Sequence, residues 1–508
     1  MNAMAAQHFG KHPAIIGWPE DPSDARGMAL WTSDELASAM GGTASCEFEV
    51  AGAEIDSREV AEGDLFFALK GEASDGHKFV DGAFAKGAAA AVVDRPISQP
   101  HVLVPDTFLA LEALARASRA RVEDSAKIIG VTGSAGKTGV KEALFAALDR
   151  GSRGRAHRSL KSYNNHVGVP LSMVRMPPRT QFGVFEMGMN HPGELAQLTQ
   201  LVRPHVAIVT TIAPAHIGFF KGEAEIADAK GEIFEGLAEG GIAIIPADSP
   251  HYARLRAKAE RCGARVVPFG LSAHAEARMI DAVSAPGGGT LVTAQLGERR
   301  LCYTVSQPGE HWVANSLAVM AAVMAVGGDL GAAGLALAEM EGLTGRGARH
   351  TVPAEGGDGS GTALVIDESY NANPASMRVT IAALGTTRAH RRIAVLGAMK
   401  ELGEASDRYH ADLAGPLLAA KVDRVILVGP EMAPLAAALA EKGGKPAGAD
   451  LAAPIDVSHV DDAMTAIARL GDEGIAGWSI EAGDALLVKG SNSVGLGALV
   501  RALTARGA

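Results

Sequence analysis

Ile128-Ile129-Gly130-Val131-Thr132-Gly133-Ser134-Ala135-Gly136-Lys137-Thr138 runs from an apolar strand candidate into a helix candidate whose inward positions are Val140, Leu144, Ala147 and Leu148. Glycines at such a junction let backbone N–H groups close around phosphate oxygens, and the helix N-terminus adds a favourable dipole. On this reading Gly133, Ser134, Ala135, Gly136, Lys137 and Thr138 cradle a nucleotide, with Lys137 at the β- and γ-phosphates and Thr138 on Mg²⁺. The general pattern separates its first glycine from the Gly-Lys-Thr triplet by four residues, a place held here by Val131, while Gly130 falls one residue early. The match is therefore to a variant loop, Thr132-Gly133-x-x-Gly136-Lys137-Thr138. The competing reading, a Gly-rich turn with an exposed lysine, does not account for strand, loop, triplet and helix coinciding.

Working outward, Ser125 to about Thr344 alternates apolar runs with amphipathic ones. Strands are expected at Lys127–Gly133, Phe182–Gly188, Val206–Ile212 and Gly241–Ala247. Helices are expected at Lys137–Leu148, Pro192–Val202, Glu223–Ala238 and His251–Arg261, an alternation that implies parallel strands joined by crossover helices. Small residues without periodicity at Gly342–Arg349 and Gly356–Gly361 mark a hinge. Beyond it the alternation resumes, with strands at Ala363–Asp367, Arg392–Leu396, Val425–Val428 and Leu486–Lys489, and helices at Pro374–Leu384, Asp407–Leu418, Ala433–Ala440 and Asp461–Leu470. Before Ser125 the pattern is mixed, with a short helix at Thr32–Met40 and an Ala/Val-rich run at Ala88–Val93. The expected division is a polar extension over 1–28 and domains over 29–124, 125–345 and 346–508.

Composition agrees with this division. The 508 residues exceed what one core supports, since single cores stop growing near ~250–300 residues. Apolar residues are 47% and charged residues 21%, the balance of a globular chain. A net charge of −11 with no basic run argues against a nucleic-acid partner. Cys46, Cys262 and Cys302 are odd in number and widely spaced, which excludes a disulfide framework or metal knuckle and suits a reducing, cytoplasmic location. No apolar stretch reaches the ~18 residues of a membrane span, and the N-terminus lacks a signal-peptide core.

Ligands of open α/β sheets bind beyond the carboxyl ends of strands. Glu186 ends one strand and His216 follows another by a short loop, so both can face the metal-nucleotide. Read singly, they are a solvated strand end and a loop histidine. Lys230 has Ile226, Ile233, Phe234 and Leu237 at i−4, i+3, i+4 and i+7, which places it on an apolar stripe. Either its stem snorkels to water or its charge is altered, because a free buried ammonium is costly.

With these residues in hand the chain resembles the Mur ligases of peptidoglycan synthesis from about Leu30 onward. The resemblance rests on ordered motifs: Ile55-Asp-Ser-Arg58 with Gly63-Asp-Leu-Phe66 and Ala68-Leu-Lys-Gly71; the loop itself; Asn164-Asn-His-Val-Gly-Val-Pro170; Phe185-Glu-Met-Gly188; Ala229-Lys-Gly-Glu-Ile-Phe234; Gly309-Glu-His-Trp-Val-Ala-Asn315; Asp367-Glu-Ser-Tyr-Asn-Ala-Asn-Pro374; and Val488-Lys-Gly-Ser491. It implies an α/β protein of three domains: an N-terminal UDP-binding domain, a central phosphate-loop ATPase with a parallel sheet, and a C-terminal Rossmann-like domain. It implies that Glu186 and His216 bind Mg²⁺ with Thr138, that Lys230 is carbamylated by CO₂, and that Asn315, Arg346 and Asp367 contact ATP. Gly345-Arg346-Gly-Ala-Arg349 offers two arginines and Asp367-Glu368 two acids; Arg346 and Asp367 are favoured. Ser57, Arg58 and Lys70 match the family's uridine-diphosphate contacts, Asn164 and Asn165 a loop touching the sugar-peptide, and His77 a structural or peripheral position. The implied activity is ATP-dependent amide formation through an acyl-phosphate, with Lys137, Glu186, His216, Lys230 and Arg346 in the machinery. The stretch Asp367–Ser376 favours members that join D-Ala-D-Ala to UDP-N-acetylmuramoyl-tripeptide, acting as a monomer, over members that add a single amino acid or extend folate with glutamate.

Overall fold

The computed structural model describes residues 29–71, 74–214, 220–285, 289–354, 361–443, 455–470 and 479–505. The polar extension, His216 and most of the second Gly-rich run lie outside them. The chain divides into two compact units, one ending at Leu114 and the other beginning at Ala115.

The first unit contains strands β1 (Trp31–Thr32), β2 (Thr43–Ala44), β3 (Glu49–Val50), β4 (Gly52–Glu54), β5 (Asp64–Phe67), β6 (Ala90–Val93) and β7 (His101–Leu103). β1 pairs with β3, and the rest form one sheet in the order β2-β7-β6-β5-β4. Phe66, Ala68, Val80, Ala83, Ala91 and Val93 are the buried centre of one of its clusters. The helix Ser33–Met40 is started by a capping box in which Thr32 and Glu35 bond each other's backbone N–H.

The second unit carries two sheets. Strands β8 (Lys127–Thr132), β9 (Ala156–Arg158), β10 (Phe182–Glu186), β11 (Val206–Val209), β12 (Ile242–Pro246), β13 (Arg265–Gly270), β14 (Ala277–Ser284), β15 (Thr290–Leu296) and β16 (Arg299–Val305) form a nine-stranded sheet ordered β16-β15-β14-β13-β12-β11-β8-β10-β9. The strands from β9 to β14 are parallel, and β14 to β16 pair antiparallel. β8 sits centrally, between β11 and β10, and is buried without a break from Ile128 to Thr132, so both its faces are covered; this is why it reads as an apolar run rather than an alternation. The helix Glu310–Ala325 is buried from Leu317 to Val323 against this sheet, which matches its near-continuous apolar sequence.

The second sheet is ordered β17-β18-β22-β19-β20-β21, from β17 (Ala348–Ala354), β18 (Gly361–Glu368), β19 (Arg392–Gly397), β20 (Arg424–Val428), β21 (Asp456–Val460) and β22 (Ala485–Lys489). All pairs but β17–β18 are parallel, and separate buried clusters cover its two faces. The α/β expectation holds throughout. No helix among the described residues is long and apolar enough to cross a membrane.

Three local expectations are corrected. Glu223–Ala238 is not one helix: an α-helix over Glu223–Gly231 tightens into a 3₁₀ turn over Glu232–Gly236. There Gly236 lies so close to Thr199 that a Cβ would stand 2.1 Å from its carbonyl oxygen, and the Thr199 hydroxyl donates to the Ile233 carbonyl. Asp407–Leu418 is two helices, Ser406–Ala411 and Ala414–Ala419, because Pro416 cannot donate to the carbonyl four residues back. The first Gly-rich run is shorter than expected, since Ala348 and Arg349 already belong to β17.

Candidate active site

β8 ends at Thr132, and the loop that follows is shaped by two glycines. Gly133 has φ +149°, and a Cβ there would lie 1.9 Å from Thr210 Oγ1. Gly136 has φ +82° at the N-cap of the helix Lys137–Ser152, and a Cβ would lie 3.1 Å from Asn315 Nδ2. The loop is tied to the chain leaving β11: Ser134 N–H donates to Thr211 O (2.8 Å), Ser134 Oγ donates to Ala213 O (2.9 Å), and the Thr210 hydroxyl donates to the Ala135 carbonyl. Lys137 Nζ donates to Gly133 O at 2.8 Å, folding the ammonium over its own loop. Burial lowers its pKa, the Glu186 carboxylate opposes that, and the Arg346 charge adds to it.

Glu186 is wholly buried at the end of β10. One carboxylate oxygen accepts from Thr138 Oγ1 at 2.7 Å and the other from Asn164 Nδ2 at 2.8 Å. Two hard oxygen donors, a hydroxyl and a carboxylate, thus meet at the loop beside Lys137, and that donor chemistry fits Mg²⁺. Among the described residues there is no cluster of three or more His, Cys, Asp or Glu side chains able to hold a metal.

Lys230 is 2% exposed, with Ile226, Ile233 and Phe234 buried around it. Its ammonium has no hydrogen bond or ion pair to any described residue, in contrast to the other buried lysines. Burial first, and the neighbouring Lys137 charge second, push its pKa well below the usual lysine value. At 2% exposure the side chain does not reach water as the snorkelling alternative requires, and its burial favours the neutral amine over the ammonium.

A cavity of about 460 Å³ opens over the loop. Its walls include Ser134 to Lys137 and Asn315 from the nine-stranded half, and Arg346, Glu368, Asn371, Asn373 and Lys489 from the other. Arg346 stacks over the Tyr370 ring (4.2 Å) and donates to Ser162 Oγ (2.9 Å); Arg349 is an exposed residue of β17 and does not line the cavity. Of the two acids, Asp367 is buried and engaged, accepting from Gly345 N–H (2.7 Å), Ser369 N–H (3.1 Å) and Ser369 Oγ (2.6 Å). Glu368 is the one that faces the cavity. Lys489, 1% exposed, donates to Asn371 O (2.9 Å) and to Glu368 Oε2 (3.4 Å). Sequence reasoning quoted its motif without assigning it a role; a lone lysine ending a wholly apolar strand was the available signal.

Asn165 is exposed, and its Oδ1 accepts from Gly168 N–H at 2.9 Å just before the helix Gly168–Val174. In the first unit Arg58 is 84% exposed and pairs with Asp56 (2.7 Å), Ser57 sits in the same turn, and Lys70 is exposed. His77 is 5% exposed, between Asp75 (2.8 Å) and Asp94 (3.1 Å), as a structural residue would be.

Residues 49–135 match the Mur ligase family catalytic domain, 131–323 the Mur ligase middle domain and 356–492 the Mur ligase glutamate ligase domain. The chain is 37% identical over 377 residues to the UDP-N-acetylmuramoyl-tripeptide--D-alanyl-D-alanine ligase of Escherichia coli, covering 74% of this chain and 80% of that one. It is 33% identical over 460 residues to the ligase of the same name from Synechocystis, covering 89% and 91%. Among solved structures it is similar to MurF from Acinetobacter baumannii, with TM-score 0.76, 28% identity and coverage of 94% and 99%. It is also similar to MurF ligase from Thermotoga maritima in complex with ADP, with TM-score 0.70, 26% identity and coverage of 90% and 98%. The ordered motifs, the two-sided cavity over the phosphate loop and relatives matched over most of their length lead to one conclusion: the chain belongs to the Mur ligase family.

Proposed function

We propose that the chain is an ATP-dependent ligase that joins D-Ala-D-Ala to UDP-N-acetylmuramoyl-tripeptide through an acyl-phosphate. The observation that carries this reading is the pairing of Thr138 with Glu186 at 2.7 Å beside Lys137, on the wall of a cavity whose far side supplies Arg346 and Lys489. Amide formation from a carboxylate is unfavourable in water, and activation by ATP is the physical reason for a phosphate loop here.

Lys137 and Arg346 neutralise the γ-phosphoryl oxygens while the tripeptide carboxylate attacks phosphorus and ADP leaves. The amine of D-Ala-D-Ala then attacks the acyl carbon, loses a proton, and phosphate departs. Thr138 and Glu186, with His216, would hold Mg²⁺, which supplies further charge neutralisation at the phosphates. Asn164, bonded to Glu186, keeps that carboxylate aimed at the loop. Asn315 packs on Gly136 and belongs to the nucleotide wall, as does Glu368; Asp367 acts by holding the backbone around Arg346. A neutral Lys230 amine can add CO₂ and lose a proton, becoming a carbamate anion where a bare ammonium would repel both Lys137 and a metal. Ser57, Arg58 and Lys70 are assigned to the uridine-diphosphate end, and the division at 28, 124 and 345 is kept with that assignment. The three free cysteines suit a cytoplasmic enzyme, and we take it to act as a monomer.

The test is phosphate release and product mass with purified UDP-N-acetylmuramoyl-tripeptide, ATP and either D-Ala-D-Ala or D-Glu. Release with D-Glu alone overturns the proposal. Isotopically labelled CO₂ should give a carbamate carbon signal in the wild type and none in Lys230→Ala.

A further inference from the structure

Lys141 stands one turn beyond Lys137 on the helix Lys137–Ser152, is 0% exposed, and does not line the cavity. An ammonium carries three N–H donors, and all three have acceptors here: Ser159 O at 2.9 Å, Lys161 O at 2.7 Å and the Glu142 carboxylate at 2.8 Å. A buried charge held in this way is a fixed strut. Two of its three bonds leave the helix for consecutive parts of the segment that follows β9.

That segment is where the site is assembled. Ser159 Oγ accepts from Glu186 N–H (3.2 Å), Ser162 Oγ accepts from Arg346 (2.9 Å), and Asn164 Nδ2 donates to the Glu186 carboxylate (2.8 Å). Lys161, in its middle, has φ +51°, a left-handed conformation that costs a non-glycine residue free energy and persists only when its surroundings enforce it. The Lys141 bond to the Lys161 carbonyl is such an enforcement.

We infer that Lys141 is a positioning residue which ties the phosphate-loop helix to residues 159–164, and through them fixes Glu186 and Arg346 relative to Lys137 and Thr138. Nucleotide seated on the loop is thereby communicated to an arginine of the Gly-rich run itself. The inference deepens the ligase reading and takes from it only the substrates of one assay.

The test is Lys141→Met combined with Glu142→Gln, which removes the lysine together with its carboxylate partner; Glu142 also pairs with Arg158 (2.8 Å), and Glu142→Gln alone is the control for that second loss. A non-hydrolysable ATP analogue should bind within about threefold of wild type, because the loop backbone and Lys137 are untouched, while kcat falls about 100-fold through misplacement. Ser162→Ala should lower kcat in the wild type and add little in the Lys141 background, the signature of coupled sites in a double-mutant cycle. Hydrogen exchange supplies a readout independent of ligation: the analogue should slow amide exchange over 159–164 in the wild type and not in the variant. Where the double variant does not fold, Lys141→Arg, which keeps the charge but replaces three donors on one nitrogen by a planar fork, takes its place. Retained kcat, additive effects with Ser162→Ala, or equal protection of 159–164 in both proteins overturns the inference. A wild type that makes no amide refutes the ligase reading instead, and the exchange comparison still decides the role of Lys141.

Discussion

Gly133→Ala tests the geometry of the loop directly, because two separate costs can be read from the structure. The backbone at Gly133 has φ +149°, and a strained φ costs a non-glycine residue about 1–3 kcal/mol. The added Cβ also lies 1.9 Å from Thr210 Oγ1, and forced overpacking costs about 1–3 kcal/mol more. Thr210 cannot swing aside freely, since its hydroxyl donates to the Ala135 carbonyl and holds the loop against the end of β11. The sum, about 2–6 kcal/mol, is a large share of the about 5–15 kcal/mol that keeps a domain folded. Urea unfolding of nucleotide-free protein, with calorimetric binding of an ATP analogue, measures both the loss and its consequence for the loop. Adding Thr210→Ala removes the 1.9 Å overlap, keeps the tighter-than-usual 3.1 Å contacts to the residue-210 Cβ and N, forfeits a hydrogen bond of about 1 kcal/mol and leaves the backbone strain, so the double variant should be more stable than Gly133→Ala alone. A Gly133→Ala protein within 0.5 kcal/mol of wild type, or a double variant no better than the single, refutes this account of the loop.

Lys230→Met should abolish turnover yet stabilise the chain in CO₂-free buffer. Its amine titrates lower in the folded than in the unfolded state, so the unfolded chain binds an extra proton between the folded pKa and 10.5, and this burden on stability grows as pH falls through that window. Unfolding midpoints across neutral to alkaline pH check the sign. His157 and His205 are both pushed down to about 4, by desolvation first, from 6.5 unfolded. Each therefore costs stability as pH drops from 6.5 towards 4, with a slope of up to about 1.4 kcal/mol per pH unit for buried His157 and less for half-buried His205, which solvent screens, and a His157→Gln, His205→Asn protein should show a shallower acid limb in pH-dependent urea unfolding. Lys489→Met should leave the fold intact, because the lysine's charge opposes its own burial, but lower kcat/KM for ATP by about tenfold or more in a phosphate-release assay.

The phosphate loop was legible because its signal is local: glycines, a lysine and a threonine at fixed offsets between a buried strand and a helix. Lys230 was legible from the 3.6-residue period, which placed it on the stripe that turned out to be buried. The choice between Asp367 and Glu368 was not legible. Neighbouring residues of a strand point to opposite faces, and nothing in the sequence says which face meets the cavity. Of the antiparallel strands, β14 was missed because its burial is patchy, with Ile280 and Val283 exposed, whereas β15 does alternate through Val292, Ala294 and Leu296 and was legible but passed over. Lys141 was missed for a related reason: a lysine on an amphipathic helix reads as solvent-facing, and only the segment folding over it from beyond β9 converts it into a buried strut.

Charge shows most directly why the site needs both sheets. The whole chain carries −11, which would repel a nucleotide, yet the cavity is lined among the described residues by Lys137, Arg346 and Lys489 against two carboxylates. One of those, Asp248, is engaged by the Leu271 and Ser272 backbone N–H groups, and the other, Glu368, is shared with Lys489. The local field is therefore positive, and only Lys137 of its three cations belongs to the nine-stranded half. By itself the nine-stranded half would offer a phosphate only Lys137 against a negative protein; in the arrangement seen, Arg346 and Lys489 share the same cavity wall. The variant Arg346→Met with Lys489→Met should bind an ATP analogue more weakly and with a smaller dependence on salt than the wild type, because the interactions it removes are those that screening would otherwise weaken.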